Sequence, residues 1–217
     1  MDIQTVTGEI SKNDLGIVSP HEHIFINLSA FYEKREIKNF DNSEDVEVSI
    51  ENLGVLKRDP YALKDNLIMD DFNLQEEELL RFKQSGGKTI VDATTIGIGR
   101  NPKEMKKISE NTGINVIAGA GYYVSSTHPK ELDNLSVDSI AEQIVYEIEF
   151  GMDNTDIKAG VIGEIGISEL FNDNERKVLK AAAKAQLKTG KGIIVHINPW
   201  TENGLEAAEI LLSEGVS

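Results

Sequence analysis

The chain has 217 residues, with 22 Lys and Arg against 37 Asp and Glu, for a formal charge of −15. With 40% apolar residues it can bury a core, while its acidity argues against a nucleic-acid backbone or an anionic membrane as partner and is compatible with metal cations. The absence of cysteine removes disulfides, thiolate metal sites and cysteine nucleophiles together.

Residues 2–9 alternate (Ile3, Thr5, Thr7) and predict a strand, followed by a polar turn over 11–16 and a second extended run over 16–28. Together these predict an entry hairpin leading into a first core strand. Residues 29–72 are the least regular part. They carry an acidic patch of Asp41, Glu44, Asp45, Glu47 and Glu51, read as a solvated face, and a possible helix near 44–57. An insertion of this length after a strand suits a lid or pocket wall. From residue 73 onward strand and helix alternate. Asn73 with Glu76 predicts a helix start, stopped at Gly86-Gly87. Strands follow over 88–96, 114–123, 159–168 and 192–198, with helices over 102–112, 136–150, 173–189 and 202–213 between and after them. Each of these helices stops at or near a glycine: Gly113, Gly151, Gly190 and Gly215.

Such alternation predicts a parallel sheet, and near-continuous apolar strands predict burial on both faces. Five core strands fit either a complete doubly wound sheet or five-eighths of a (β/α)8 barrel, which typically needs about 250 residues. No basic N-terminal segment precedes an apolar run, and no window approaches about 18 uninterrupted apolar residues. A cytoplasmic protein with a single domain over 1–217 is the expectation.

The polar residues in these strands carry the chemistry. His21 and His23 flank Glu22. In a strand the two imidazoles share a face, about 6.5–7 Å apart along the chain, and can converge on one ion. Imidazole suits zinc and other first-row metals; the plain alternative is two histidines that cap a strand. Glu164 lies in an apolar strand between Gly163 and Ile165, and a carboxylate there is costly unless it is paired or on a metal. His196 ends another apolar strand, where a satisfied core histidine is the usual explanation of one such residue. Three strands each delivering a metal-capable side chain at the C-terminal end match the place where α/β folds put their sites.

At this point the chain resembles a known family. HxH on the first strand, a carboxyl ligand on the fourth and His on the fifth resemble the amidohydrolase superfamily. The stretches GIVSPHEHIFIN (16–27), TIVDATTIGIGRNP (89–102), VIAGAGYYVSSTHP (116–129), GVIGEIGIS (160–168) and GIIVHINPW (192–200) resemble the phosphotriesterase family, phosphotriesterase-related branch. The resemblance implies an α/β fold of the (β/α)8 TIM-barrel type, with the first five βα units present behind an N-terminal β-hairpin. It also implies a centre of two divalent metals, usually Zn2+. His21 and His23 would bind the more buried ion, Glu164 would bridge, and His196 would bind the more exposed ion. Many members carry a carboxylated lysine where this chain has Glu164. The implied chemistry is hydrolysis of an ester, lactone, amide or phosphoester in a small-molecule substrate.

The family pattern also needs a histidine from strand six and an aspartate from strand eight. The chain ends at Ser217, where strand six would begin, so a fragment is one expectation, and an open parallel edge makes a homo-oligomer another. Tyr123 and His128 are read as substrate-binding residues. The competing readings are core packing for Tyr123 and an exposed loop for His128. Trp200 suits a pocket rim. Asp92 and Arg100, which flank the second strand, read as structural ion-pair residues. Gly119 and Gly121 do not make a phosphate loop. The rival reading is a non-catalytic five-stranded binding domain, which would keep His21, His23, Glu164 and His196 apart.

Overall fold

The computed structural model describes residues 2–34 and 45–217. Asp41, Glu44 and the first position of the expected 44–57 helix lie outside the described residues. The chain enters through an antiparallel hairpin of β1 (Asp2–Thr5) and β2 (Gly8–Ser11). Its turn falls just after β1, not over 11–16, because Thr5 Oγ1 donates to Gly8 O at 2.7 Å and closes it there. Residues 12–14 form a short 3-10 turn capped by Ser11. The hairpin docks on the sheet through Val6 N–H, which donates to Val116 O at 2.8 Å.

The run expected over 16–28 divides into β3 (Ile17–Glu22) and β4 (Ile26–Asn27). It breaks where Ile24 N–H donates to the buried carboxylate of Asp92 at 2.8 Å. β4 pairs with β5 (Ile68–Met69) in a separate two-stranded ribbon. Between them the expected helix shrinks to α1 (Leu53–Leu56). Side chains capture the backbone ahead of it: Asp65 accepts from Val48 N–H, and Asn52 accepts from Ser49 N–H and donates to Glu47 O. Such local bonds compete with helix formation. Asp45, Glu47 and Glu51 are exposed, as a solvated face requires.

The remaining elements follow the expected rhythm: α2 (Phe72–Gln84), β6 (Gly87–Asp92), α3 (Pro102–Thr112), β7 (Asn115–Ala120), α4 (Val137–Glu149), β8 (Val161–Ile167), α5 (Asp173–Thr189), β9 (Ile193–Ile197) and α6 (Asn203–Ser213). The cap of α2 is Asp71, not Asn73; its carboxylate accepts from the backbone N–H of Asn73 and Leu74. α3 opens with Pro102 behind an Asn101 cap, and α5 with a capping box of Asn172 and Glu175.

Strands β3, β6, β7, β8 and β9 form one parallel sheet in that order. A doubly wound sheet reverses its strand order at a switch point. This sheet does not reverse, and its order is that of a barrel. The sheet also curls. β3 and β8 are three strand spacings apart, about 14 Å in a flat sheet at roughly 4.8 Å each, yet His21 Nε2 lies 2.8 Å from Glu164 Oε2. The helices cover the outer face. Ile140, Ile144 and Ile148 of α4 and Val178 and Leu179 of α5 pack with Val116, Ala118, Ile162 and Ile165 in one core. No described helix is long and apolar enough to cross a membrane.

Arg100 is a structural ion-pair residue, as expected, but not with Asp92. Its guanidinium is buried and forks onto Glu147 (2.8 and 2.9 Å) and Asp153 (3.1 and 2.7 Å). Among the described residues Asp92 has no cation partner. Its two oxygens accept backbone N–H groups of Ile24 and Thr94, and burial pushes its carboxyl up to about 6.

Candidate metal centre

β3, β8 and β9 deliver four side chains to one point at the C-terminal end of the sheet. Glu164 is the hub, with 2% of its side chain exposed. His21 Nε2 lies 2.8 Å from Oε2, His196 Nδ1 lies 3.2 Å from Oε2, and His23 Nε2 lies 3.4 Å from Oε1. The His21 and His23 rings meet edge to face, 5.7 Å between centroids, on the shared face expected of an HxH pair. A binding domain that separates the four residues does not match this arrangement.

The backbone around Glu164 explains the glycines beside it. Gly163 has φ +105°, and a Cβ there would stand 2.2 Å from Ile194 O. A Cβ on Gly119 would stand 1.8 Å from Gly163 O. Only glycine lets β7, β8 and β9 approach this closely. Glu164 N–H donates to Ala93 O at 3.0 Å, which fixes the start of the side chain.

Burial works against the charge of Glu164, but the hydrogen bond from His196 and the nearby imidazoles of His23, His196 and His21 outweigh it and hold the carboxyl below its usual range. Burial is also the main influence on His23 and lowers its pKa. An ionised carboxylate beside a neutral imidazole is the protonation state that metal binding requires. One donor atom from each of His21, His23 and Glu164 lies within 4.8 Å of the others. Two nitrogens and a carboxylate oxygen suit a divalent ion of the zinc type, so the residues present fit the group. His196 sits outside that trio but touches the same carboxylate.

Tyr123 stands next to His196, its hydroxyl 2.9 Å from Nε2 and its ring 4.8 Å from the imidazole. Phe31 meets Tyr123 edge-on, and Tyr61 meets Phe31. Two residues of the irregular segment, Phe31 and Tyr61, thus reach the aromatic side chain beside His196. Burial, with Glu164 nearby, raises the Tyr123 hydroxyl well above the usual tyrosine range.

His128 is not on an exposed loop. It is half-buried, its Nε2–H donates to Tyr123 O at 2.7 Å, and its ring packs edge-on to Tyr122. Trp200 is 89% exposed on the loop after β9.

Sequence reasoning passed over Thr94 and Glu175 and read Asp92 only as an ion-pair residue. Thr94 puts Oγ1 2.9 Å from His23 Nδ1. Asp92 clamps the backbone on both sides of that contact. Glu175, fully buried, accepts from Ser125 N–H, Ser168 N–H and Oγ–H, and Asn172 N–H, and so joins the loop after β7 to the loop after β8. A buried acid in an apolar strand was the available signal for Asp92. Thr94 gave none, because threonine is an ordinary strand residue.

Known proteins share this architecture. The chain is 37% identical over 217 residues to an N-acetyltaurine hydrolase of Danio rerio, covering 98% of this chain and 61% of that protein. It superimposes with a TM-score of 0.96 on a resiniferatoxin-binding protein from Rhodobacter sphaeroides, at 38% identity, over 100% of this chain and 60% of the other. A lactonase from Listeria monocytogenes gives a TM-score of 0.78 at 27% identity, over 99% and 62% of the two chains. The chain thus spans about three-fifths of the length of the curated relatives it matches. The sequence pattern of the phosphotriesterase family matches residues 1–217. With consecutive parallel strands, a curled sheet and this match along its whole length, the chain belongs to the phosphotriesterase family.

Proposed function

We propose that this chain carries the greater part of a divalent-metal hydrolase site acting on a small-molecule substrate. The observation that carries the reading is the convergence of three imidazoles on the one buried carboxylate of Glu164. His21, His23 and Glu164 would hold one ion, and Glu164 with His196 would contribute to a second. Divalent ions, zinc foremost, supply Lewis-acid polarisation and lower the pKa of water when bound.

The chain's own residues do the positioning. Glu164, kept ionised, offers Oε1 toward His23 and Oε2 toward His21 and His196. Tyr123 holds the far nitrogen of His196 and, with Phe31 and Tyr61, forms an aromatic wall where a substrate would lie. His128 contributes to binding through the Tyr123 carbonyl behind that wall. The names of the amide-hydrolysing and lactone-hydrolysing relatives favour an acyl centre over a phosphoester. A cytoplasmic setting and a homo-oligomer belong to the same proposal.

The test is metal content per folded chain by elemental analysis, with hydrolysis of N-acyl amino-sulfonates and lactones measured on the same sample. About two zinc-like ions per chain would support a two-metal site. A folded, chelator-free sample that takes up no metal would overturn the reading.

A further inference from the structure

We propose that Thr94 is a positioning residue that sets the tautomer of His23, so that Nε2 presents a bare lone pair to the cation side of the site. The inference rests on the metal reading for its use, but its structural claim stands on hydrogen-bond directions alone. Thr94 Oγ1 lies 2.9 Å from His23 Nδ1 and 3.2 Å from Phe25 O, and the Asp92 carboxylate is a further acceptor within its reach. A carbonyl oxygen and a carboxylate can only accept, so the Thr94 hydroxyl proton goes to Phe25 O or Asp92. Its oxygen is then an acceptor, and His23 Nδ1 must bring the proton. A neutral imidazole protonated at Nδ1 is bare at Nε2.

The opposite tautomer would turn the Thr94 proton toward Nδ1 and take it from both of these buried acceptors. In exchange it offers Nε2–H only a long, 3.4 Å approach to Glu164 Oε1. The geometry is held rigid by Asp92. One carboxylate oxygen accepts from Thr94 N–H at 2.9 Å and the other from Ile24 N–H at 2.8 Å, which locks the strand ends carrying Thr94 and His23 to each other. Thr94 and Asp92 are both fully buried, so water does not compete for these bonds.

The chain has only four histidines, so the ring 15N resonances of the metal-free, histidine-labelled protein are few and are assigned by loss in His23→Asn. At about pH 8, above the histidine range, the His23 proton is expected on Nδ1. Thr94→Val removes the hydroxyl and keeps the shape. It is expected to move the proton to Nε2 or mix the tautomers, and to weaken Co2+ binding, followed by absorption, by about 10–100-fold. Thr94→Ser restores the hydroxyl and should restore both readouts. A proton on His23 Nε2 in the unmodified chain would overturn the proposal. So would a Thr94→Val protein with unchanged tautomer and Co2+ affinity. If Thr94→Val does not fold, the tautomer of the unmodified chain and of Thr94→Ser still decides. A chain that binds no Co2+ but shows His23 protonated on Nδ1 would defeat the hydrolase reading and leave Thr94 in its place.

Discussion

His21 Nε2 and Glu164 Oε2 lie 2.8 Å apart although 143 positions separate them in the chain. The contact spans the chord of the curled sheet, from its first strand to its fourth. It tells more about the site than either residue alone, since a buried carboxylate met by an imidazole from another strand is a poor structural choice unless something else uses the pair.

Glu164→Ala should abolish tight metal binding and leave the secondary structure intact. Removing the hub leaves His21, His23 and His196 with no shared anionic partner. Zinc per chain, by elemental analysis after dialysis, should fall to near zero. Retention of the full zinc content would show that the carboxylate is not a ligand.

Zinc should raise the thermal stability of the metal-free protein. At a free concentration 100 times the dissociation constant the stabilisation is about 2.7 kcal/mol, which at roughly 2–4 °C per kcal/mol for a chain of this size is a rise of about 5–10 °C. Calorimetry with and without zinc measures it. The double change His21→Ala, His23→Ala should erase the rise.

Glu147→Ala should destabilise the fold by about 3 kcal/mol, because it leaves the buried Arg100 guanidinium with the half-exposed Asp153 as its carboxylate and the Gly119 carbonyl besides. Urea denaturation measures the loss. Replacing Arg100 by Met and Glu147 by Leu together should recover much of it, since no buried charge then lacks a partner.

The metal-free protein should lose stability as pH falls from about 7.5 to 6. His128 and His23 are both lowered, chiefly by burial. The unfolded chain therefore takes up protons near 6.5, the ordinary histidine value, before the native state does, and falling pH favours unfolding. Asp92 acts the other way, but only below about 6, where its raised carboxyl protonates first in the native state. Urea midpoints across that range test the sign. His128→Gln should flatten the slope, as His128 Nδ1 is buried and among the described residues has no partner to share a second proton with.

The fold was largely legible because the barrel strands are apolar runs punctuated by glycine; α3 and α5 occupy the expected 102–112 and 173–189, each stopped by the glycine that follows. Barrel and doubly wound sheets share that rhythm, so periodicity did not separate them and the family resemblance did. His21, His23, Glu164 and His196 stood out as polar residues in apolar surroundings. Thr94 did not, because its meaning comes from Phe25, 69 positions away. Glu175 carried no signal in the sequence, and only the folded chain shows the loops that close over it. The 44–57 helix was misjudged because local side-chain bonds to backbone, invisible as a pattern, outcompete it.

Strand neighbours in space are also neighbours in sequence, and this orders the molecule in time as well. During synthesis each strand can join an edge already laid down by the one before it, so the sheet can grow as the ribosome advances. The imidazoles of His21 and His23 emerge first and wait for more than half of the chain to be made before Glu164 reaches them. His196 arrives later still. On the reading proposed above, an ion would be captured tightly only once Glu164 has been made, and the sheet laid down before it stands on its apolar core.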